Sequence, residues 1–232
     1  MYKVWWWAKN NNFGDLLTKN LLDYYDIKFE FAESFKQANL ISIGSIVSKA
    51  RKNTHVLGSG IISLKESPNP NANYHFVRGP YTRNRILELG GDCPKIYGDP
   101  ALLLPLFCEE SKKEYDVGIV PHYVDYEYVK QTYPNYKIIN VLNTDPLLVA
   151  KEITKCRKII STSLHGIITA HAYNIPAAWV KFSDKLAGDD IKFNDHYASI
   201  GLKAELSTID DPRFTTGNYN TNKIEQIFKN LK

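Results

Sequence analysis

The segment Ser161-Thr162-Ser163-Leu164-His165-Gly166 concentrates chemically capable side chains in the shortest stretch of this chain. A short apolar run, Ile159-Ile160, enters it, and Ile167-Ile168 continues beyond it. The pattern reads as a strand passing through a hydroxyl-rich turn into a helix. Unpaired N–H groups at a helix start attract phosphate or carboxylate. Three hydroxyls add donors, and an imidazole at the mouth can exchange a proton with a reacting group. A plain Ser or Thr cap with a packed histidine beside it fits the same residues.

Two further segments carry charge to strand ends. Arg78-Gly79-Pro80 follows the apolar run Tyr74–Val77. An arginine there can clamp an anion with two parallel bonds. Pro80 suits a first helical turn. Asn12-Phe13-Gly14-Asp15 joins the first apolar run to a helical stripe. Asp15 either favours that helix start electrostatically or orients a substrate hydroxyl. Gly58-Ser59-Gly60 and Pro121-His122-Tyr123 also follow apolar runs, which makes Ser59, Gly60 and His122 candidate ligand contacts together with Gly14. Arg83 lies on the helix that Pro80 starts. Asp99, before Pro100, reads as a turn former.

The elements that must position these residues alternate. Predicted strands are 2–8, 40–44, 55–57, 74–77, 116–120, 137–141, 158–161 and 177–182. Predicted helices are 15–25, 81–89, 124–133, 146–156, 166–173 and 222–231. Strands alternating with helices imply βαβ units and parallel sheets. The polar stretch Glu109–Glu114 reads as a linker. The expectation is therefore an α/β protein of two Rossmann-like domains facing a cleft, residues 1–108 and 109–232. The last helix is a candidate to pack back on the first domain. Ligands then gather at the C-terminal ends of the strands.

Composition narrows the partners. The formal net charge is +4 and the basic residues are scattered, which does not call for nucleic acid. The three cysteines form no CxxC pair, and His55, His75, His171 and His196 have no metal-ligand spacing. Neither a zinc site nor a disulfide framework is expected. The first residues predict no secretory leader, and no apolar run approaches the ~20 residues of a membrane span. A cytoplasmic protein is expected, and contact with the inner face of a membrane is compatible with that.

In order, Asn12–Leu17, Gly58–Gly60, Val77–Arg83, Tyr97–Pro105, Ile119–Tyr123, Ser161–Gly166 with Ile175-Pro176, and Lys192–Asp195 resemble the polysaccharide pyruvyl transferase family. The resemblance implies a glycosyltransferase-B-like pair of domains. It implies transfer of the enolpyruvyl unit of phosphoenolpyruvate to a sugar of a surface polysaccharide or lipid-linked glycan, closing a pyruvate ketal without a cofactor. It makes Arg78, Ser163, Leu164 and His165 the donor site, His165 the proton-transfer group, and Asp15 a helper at the acceptor. The stretch Asn194–Tyr197 departs from the family pattern, so no role is carried over to it. Two other readings share this architecture: a glycosyltransferase using a nucleotide sugar, and a non-catalytic glycan-binding relative.

Overall fold

The computed structural model describes residues 1–231. The chain forms two five-stranded sheets, and every strand pair in them is parallel. The first sheet holds β1 (Tyr2–Val4), β2 (Phe29–Phe31), β3 (Leu40–Ile41), β4 (His55–Leu57) and β5 (Asn73–Phe76), in the order β2-β1-β3-β4-β5. The second holds β6 (Tyr115–Val120), β7 (Lys137–Ile138), β8 (Cys156–Ser161), β9 (Ala177–Val180) and β10 (Leu206–Ser207), in the order β10-β9-β8-β6-β7. Read from its own first strand, each sheet has the same 2-1-3-4-5 order. Each therefore reverses direction once, between β1 and β3 and between β6 and β8. Open α/β sheets bind ligands at such reversal points, outside the carboxyl ends of the strands.

Seven α-helices connect the strands: α1 (Phe13–Tyr24), α2 (Pro80–Glu88), α3 (Tyr126–Thr132), α4 (Pro146–Thr154), α5 (Leu164–Ala172), α6 (Ile191–Ser199) and α7 (Asn222–Lys229). A 3-10 helix, Pro100–Leu106, leads out of the first half. The exposed irregular stretch around Glu109–Glu114 follows it.

Side chains alternate across each strand, so neighbours in sequence serve different layers. Leu40 and Leu57 face the layer between the sheets, while Ile41 and Val56 face the outer side of the first sheet. Ile159 faces the same middle layer, and Ile160 the outer side of the second sheet. That middle layer is one contiguous core. Leu17 and Leu21 of α1 share it with Leu103 and Leu104 of the 3-10 helix and with Ile153, Ile167 and Ile168 of α4 and α5. Each such buried aliphatic side chain contributes about 1.5–3 kcal/mol. The two halves thus share one core.

α7 closes the chain on the first half. Phe228 stacks on Tyr25 at 5.2 Å and meets Phe76 edge-on at 6.0 Å. Ile224 lies under Gly98, where a Cβ would come within 2.5 Å of it.

The structure departs from the predicted elements at several places. β1 ends at Val4, and Trp5-Trp6-Trp7 leave the ladder; Trp5 and Trp6 are buried and Trp7 is 37% exposed. Trp6 packs on Phe31 at 4.5 Å, so apolar density there marks a loop anchor and not a strand. Helices α1 and α5 start two residues earlier than expected, directly after the capping residues Asn12 and Ser163, and α3 starts two residues later. β2, β10 and α6 are unpredicted. Among the described residues no helix is long and apolar enough to cross a membrane.

Candidate active site

The two reversal points face each other, and the helices that start there meet. Asn12 caps α1 by accepting from the Gly14 N–H at 3.2 Å. Ser163 caps α5 by accepting from Gly166 N–H at 3.4 Å. Gly14 lies against the His165 ring: a Cβ on it would stand 2.1 Å from Nδ1. Glycine at this position is what lets the two helix starts approach. Ser161 is used structurally, since its hydroxyl donates toward the Val120 and Ser163 carbonyls and accepts from the Ser163 N–H. Thr162 Oγ1 accepts from the His122 N–H at 2.6 Å, tying the loop after β6 to the turn after β8. The N–H groups of Leu164 and His165 have no acceptor among the described residues.

His165 is 8% exposed. Its Nε2 faces Asp99 Oδ2 at 3.7 Å, and neither atom has another partner. Asp99 is fully buried, and its other oxygen accepts from the Ala101 N–H at 3.0 Å. Nδ1 is the ring nitrogen not sealed from solvent. Asp99 thus stands against the Nε2 edge of the ring and Gly14 against its Nδ1 edge. Asp15, in the first turn of α1, approaches Gly44 after β3, where a Cβ would lie 2.8 Å from Oδ1. Burial lifts its carboxyl from 3.8 to about 6, with His165 and Lys192 pulling the other way and Asp99 adding to the rise. The residue as a whole is still partly exposed. A carboxyl poised near neutrality suits proton removal from a hydroxyl.

Arg78 is fully buried. Its Nε binds Asp195 at 3.2 Å, Nη1 donates to Ser45 Oγ at 2.7 Å, and Nη2 to the Ile61 carbonyl at 2.6 Å. Gly60 gives it room, since a Cβ there would fall 2.3 Å from the guanidinium carbon. The expectation of a guanidinium open to clamp an anion on two parallel bonds is corrected by this geometry, because the three bonded nitrogens are already engaged within the protein. Asp195 also accepts from Thr82 N–H at 2.9 Å and from Thr82 Oγ1 at 2.6 Å. The cluster fastens α6, from the second half, onto the start of α2 in the first.

The remaining candidates sort by geometry. Gly14 and Gly60 make space for His165 and Arg78. Ser59 is fully buried, donating to the Gly44 carbonyl at 2.8 Å and accepting from Ile46 N–H at 3.3 Å. It shapes the loop after β3 in place of binding a ligand. Arg83 turns away along α2 to donate to the Cys93 carbonyl at 2.9 Å. Leu164 packs into the core. His122 borders the site, and burial together with Lys192 pushes its imidazole down to about 4. His171 and His196 pair with each other at 3.0 Å and brace α5 against α6.

Sequence reasoning missed Lys192, Asp99 and Asp195 as site residues. Lys192 lies in the first turn of α6, 8% exposed, and burial with Arg78 nearby lowers its ammonium to about 8. The signals were present in Gly98-Asp99-Pro100 and Lys192–Asp195, but each is a common local pattern.

The fold and the site together define an α/β protein with acid, imidazole and ammonium groups gathered where two parallel sheets reverse. A family model described as polysaccharide pyruvyl transferase matches residues 2–184. The chain belongs to the polysaccharide pyruvyl transferase family. It is 37% identical over 173 residues to an uncharacterized protein of Acanthamoeba polyphaga mimivirus, covering 70% of this chain and 60% of that protein. It is 28% identical over 218 residues to the succinoglycan biosynthesis protein ExoV of Rhizobium meliloti (strain 1021), covering 87% of this chain and 66% of that protein. The chain thus spans less than two thirds of the length of these curated relatives. No solved structure matches it.

Proposed function

We propose that this protein transfers the enolpyruvyl unit of phosphoenolpyruvate to two hydroxyls of one sugar in a surface polysaccharide or its lipid-linked precursor, forming a pyruvate ketal. The observation that carries the reading is that Gly14, the neighbour of Asp15 at the start of α1, packs on the His165 ring, whose other edge faces Asp99. The reaction needs a base for a hydroxyl and an acid for a methylene carbon, and Asp15 and His165 supply them.

The steps balance without a cofactor. Asp15 takes the proton of the first hydroxyl as its oxygen bonds to C2 of the donor. His165 gives a proton from Nδ1 to C3, turning the methylene into a methyl. The second hydroxyl then replaces phosphate at C2, and its proton leaves with the phosphate. Asp99 stabilises the imidazolium while it carries the proton, a positioning role that electrostatic preorganisation makes effective in a dry site. In this reading the two halves work as a glycosyltransferase-B-like pair, each supplying one wall of the site. The succinoglycan connection of the ExoV relative supports a glycan acceptor.

The test is direct. The protein is incubated with phosphoenolpyruvate labelled at C2 and a panel of glycans, and phosphate release and the ketal carbon signal are followed. His165→Ala keeps the fold and loses both signals. Thermal stability with each ligand separates the rival donor, since a ligand that binds only the folded state raises it. Protection by a nucleoside diphosphate but not by phosphoenolpyruvate refutes the assignment.

A further inference from the structure

The loops at the amino ends of β4 and β5 border a groove that the candidate active site does not use. Its volume is about 620 Å³, within the ~300–1,000 Å³ range of small-molecule sites. Phe35, Pro70 and Leu89 give it apolar lining, and Lys49, Arg51 and Lys52 give it three cations. No acidic residue lines it. None of the three cations has a carboxylate within ion-pair distance among the described residues. Lys49 Nζ instead stands 5.7 Å from the centre of the Phe35 ring. Glu66 is already engaged, since its carboxylate accepts from Ser48 Oγ at 2.5 Å and from the Ile62 N–H at 2.8 Å.

The sequence builds this groove locally. Val47 and Ala50 face the outer core of the first sheet, which leaves Lys49 half-buried and Arg51 and Lys52 exposed. The opposite loop is fixed by its own bonds. The Asn69 carbonyl accepts from the Ala72 N–H at 3.1 Å and from the Tyr74 hydroxyl at 2.8 Å. Prolines at 68 and 70 restrict the same backbone. The Asn53 N–H donates to the Asn71 carbonyl at 2.9 Å and joins the two loops. A site ordered in advance loses less freedom when it binds.

Charge and shape together select the ligand. Unmatched cations call for an anion. An aromatic ring among apolar walls calls for a body with a hydrocarbon face. A sugar ring that carries an acid group has both, whereas a lipid surface is flat and meets a protein outside its grooves. We propose that this groove is a second glycan site, holding a carboxylate-bearing sugar with its ring against Phe35 and its carboxylate among Lys49, Arg51 and Lys52. The groove lies at the other end of the first sheet from Arg78, and β5 between them is four residues long, about 13 Å. One glycan chain is long enough to reach both places. Under the proposed function the carboxylate is that of a ketal already formed on the same polymer, so the groove holds modified repeats while the site acts on another. That last assignment rests on the proposed function; the acidic-sugar site does not.

The experiment titrates wild type and Arg51→Ser/Lys52→Ser by calorimetry with an oligogalacturonate and with its methyl ester, which keeps the sugar and removes the charge. Both substituted residues are exposed, so the double variant is expected to melt with wild type. The acid form is expected to bind wild type and to weaken with added salt. It is expected to bind the double variant about fivefold more weakly, because two exposed charge contacts are lost. The ester is expected not to bind. Should the double variant not fold, Arg51→Gln and the wild-type salt series decide the same question. Equal affinity for both proteins, equal affinity for acid and ester, or inorganic phosphate binding as tightly as the oligosaccharide each overturns the proposal. Binding to phosphatidylglycerol vesicles that the double variant loses, with no oligosaccharide bound, assigns the cations to a membrane and overturns it too. Turnover of a short neutral acceptor is expected to be unchanged in the double variant, and its loss overturns the separation of groove from active site. Oligogalacturonate binding with no turnover of phosphoenolpyruvate on any glycan upholds the groove and sinks the proposed donor. Turnover without oligogalacturonate binding does the reverse.

Discussion

Asp15→Asn should make the protein more stable and less active at once. The carboxyl has no donor within hydrogen-bond distance among the described residues, and burial raises it from 3.8 to about 6. The sign follows from which state releases its proton first. Between these two values the unfolded chain ionises while the folded protein keeps the proton, so the native state loses stability as pH rises. Above the folded value both states are ionised and the cost stays constant. A shift of about two pKa units corresponds to about 3 kcal/mol. Residual exposure of Asp15 to the cleft reduces that to about 2–3 kcal/mol at about pH 8, and to about 1 kcal/mol or less at about pH 4.5. For a chain of this size each kcal/mol moves the melting temperature by about 2–4 °C. Thermal and denaturant melts of wild type and Asp15→Asn at the two pH values read the difference directly. The variant should gain roughly 4–12 °C at about pH 8 and little at about pH 4.5, while ketal formation disappears. A variant no more stable than wild type at the higher pH, or a gain that does not change with pH, refutes the account of Asp15 as a carboxylate held out of water for use as a base.

Two other perturbations probe the supporting geometry. Gly14→Ala places a Cβ on the His165 ring and should cost about 1–3 kcal/mol by overpacking; activity should fall more than stability, and a variant with wild-type turnover counts against the close approach. Asp195→Ala strands the buried Arg78 guanidinium and should cost about 3–5 kcal/mol, measured by denaturant melts. Arg78→Lys should not rescue the cluster, because an ammonium cannot reach Asp195, Ser45 and the Ile61 carbonyl in one plane; recovery of wild-type stability by that change argues against the fork geometry.

The alternation of apolar runs and helical stripes was enough to read an α/β chain with parallel sheets, and most of its strands and helices lie within a few residues of the sequence-based positions. The exceptions have physical causes. The strands β2 and β10 are three and two residues long and none of their residues is buried, so no apolar run of buried type marks them. Helix α6 hides its stripe because its buried side includes Lys192, Asp195 and His196 beside Ile191, Phe193 and Tyr197. A periodicity argument assumes that buried means apolar, and a helix that carries a site breaks that assumption.

The sequence by itself determined that a hydroxyl turn, an imidazole and an aspartate would stand at strand ends, because strand-loop-helix junctions are local and the residue types sit within them. It also determined the family, through the order of those junctions. Only the tertiary structure decided which groups work together. Gly14 meets His165, Asp99 faces the same ring, and Asp195 from α6 holds Arg78. These partners are separated by 66 to 151 positions in the chain, and no local pattern encodes a contact between residues so far apart. Arg78 is readable as a strand-end cation. That it is buried and occupied, while Lys192 is buried and unpaired, follows from how the shared core draws the two sheets together.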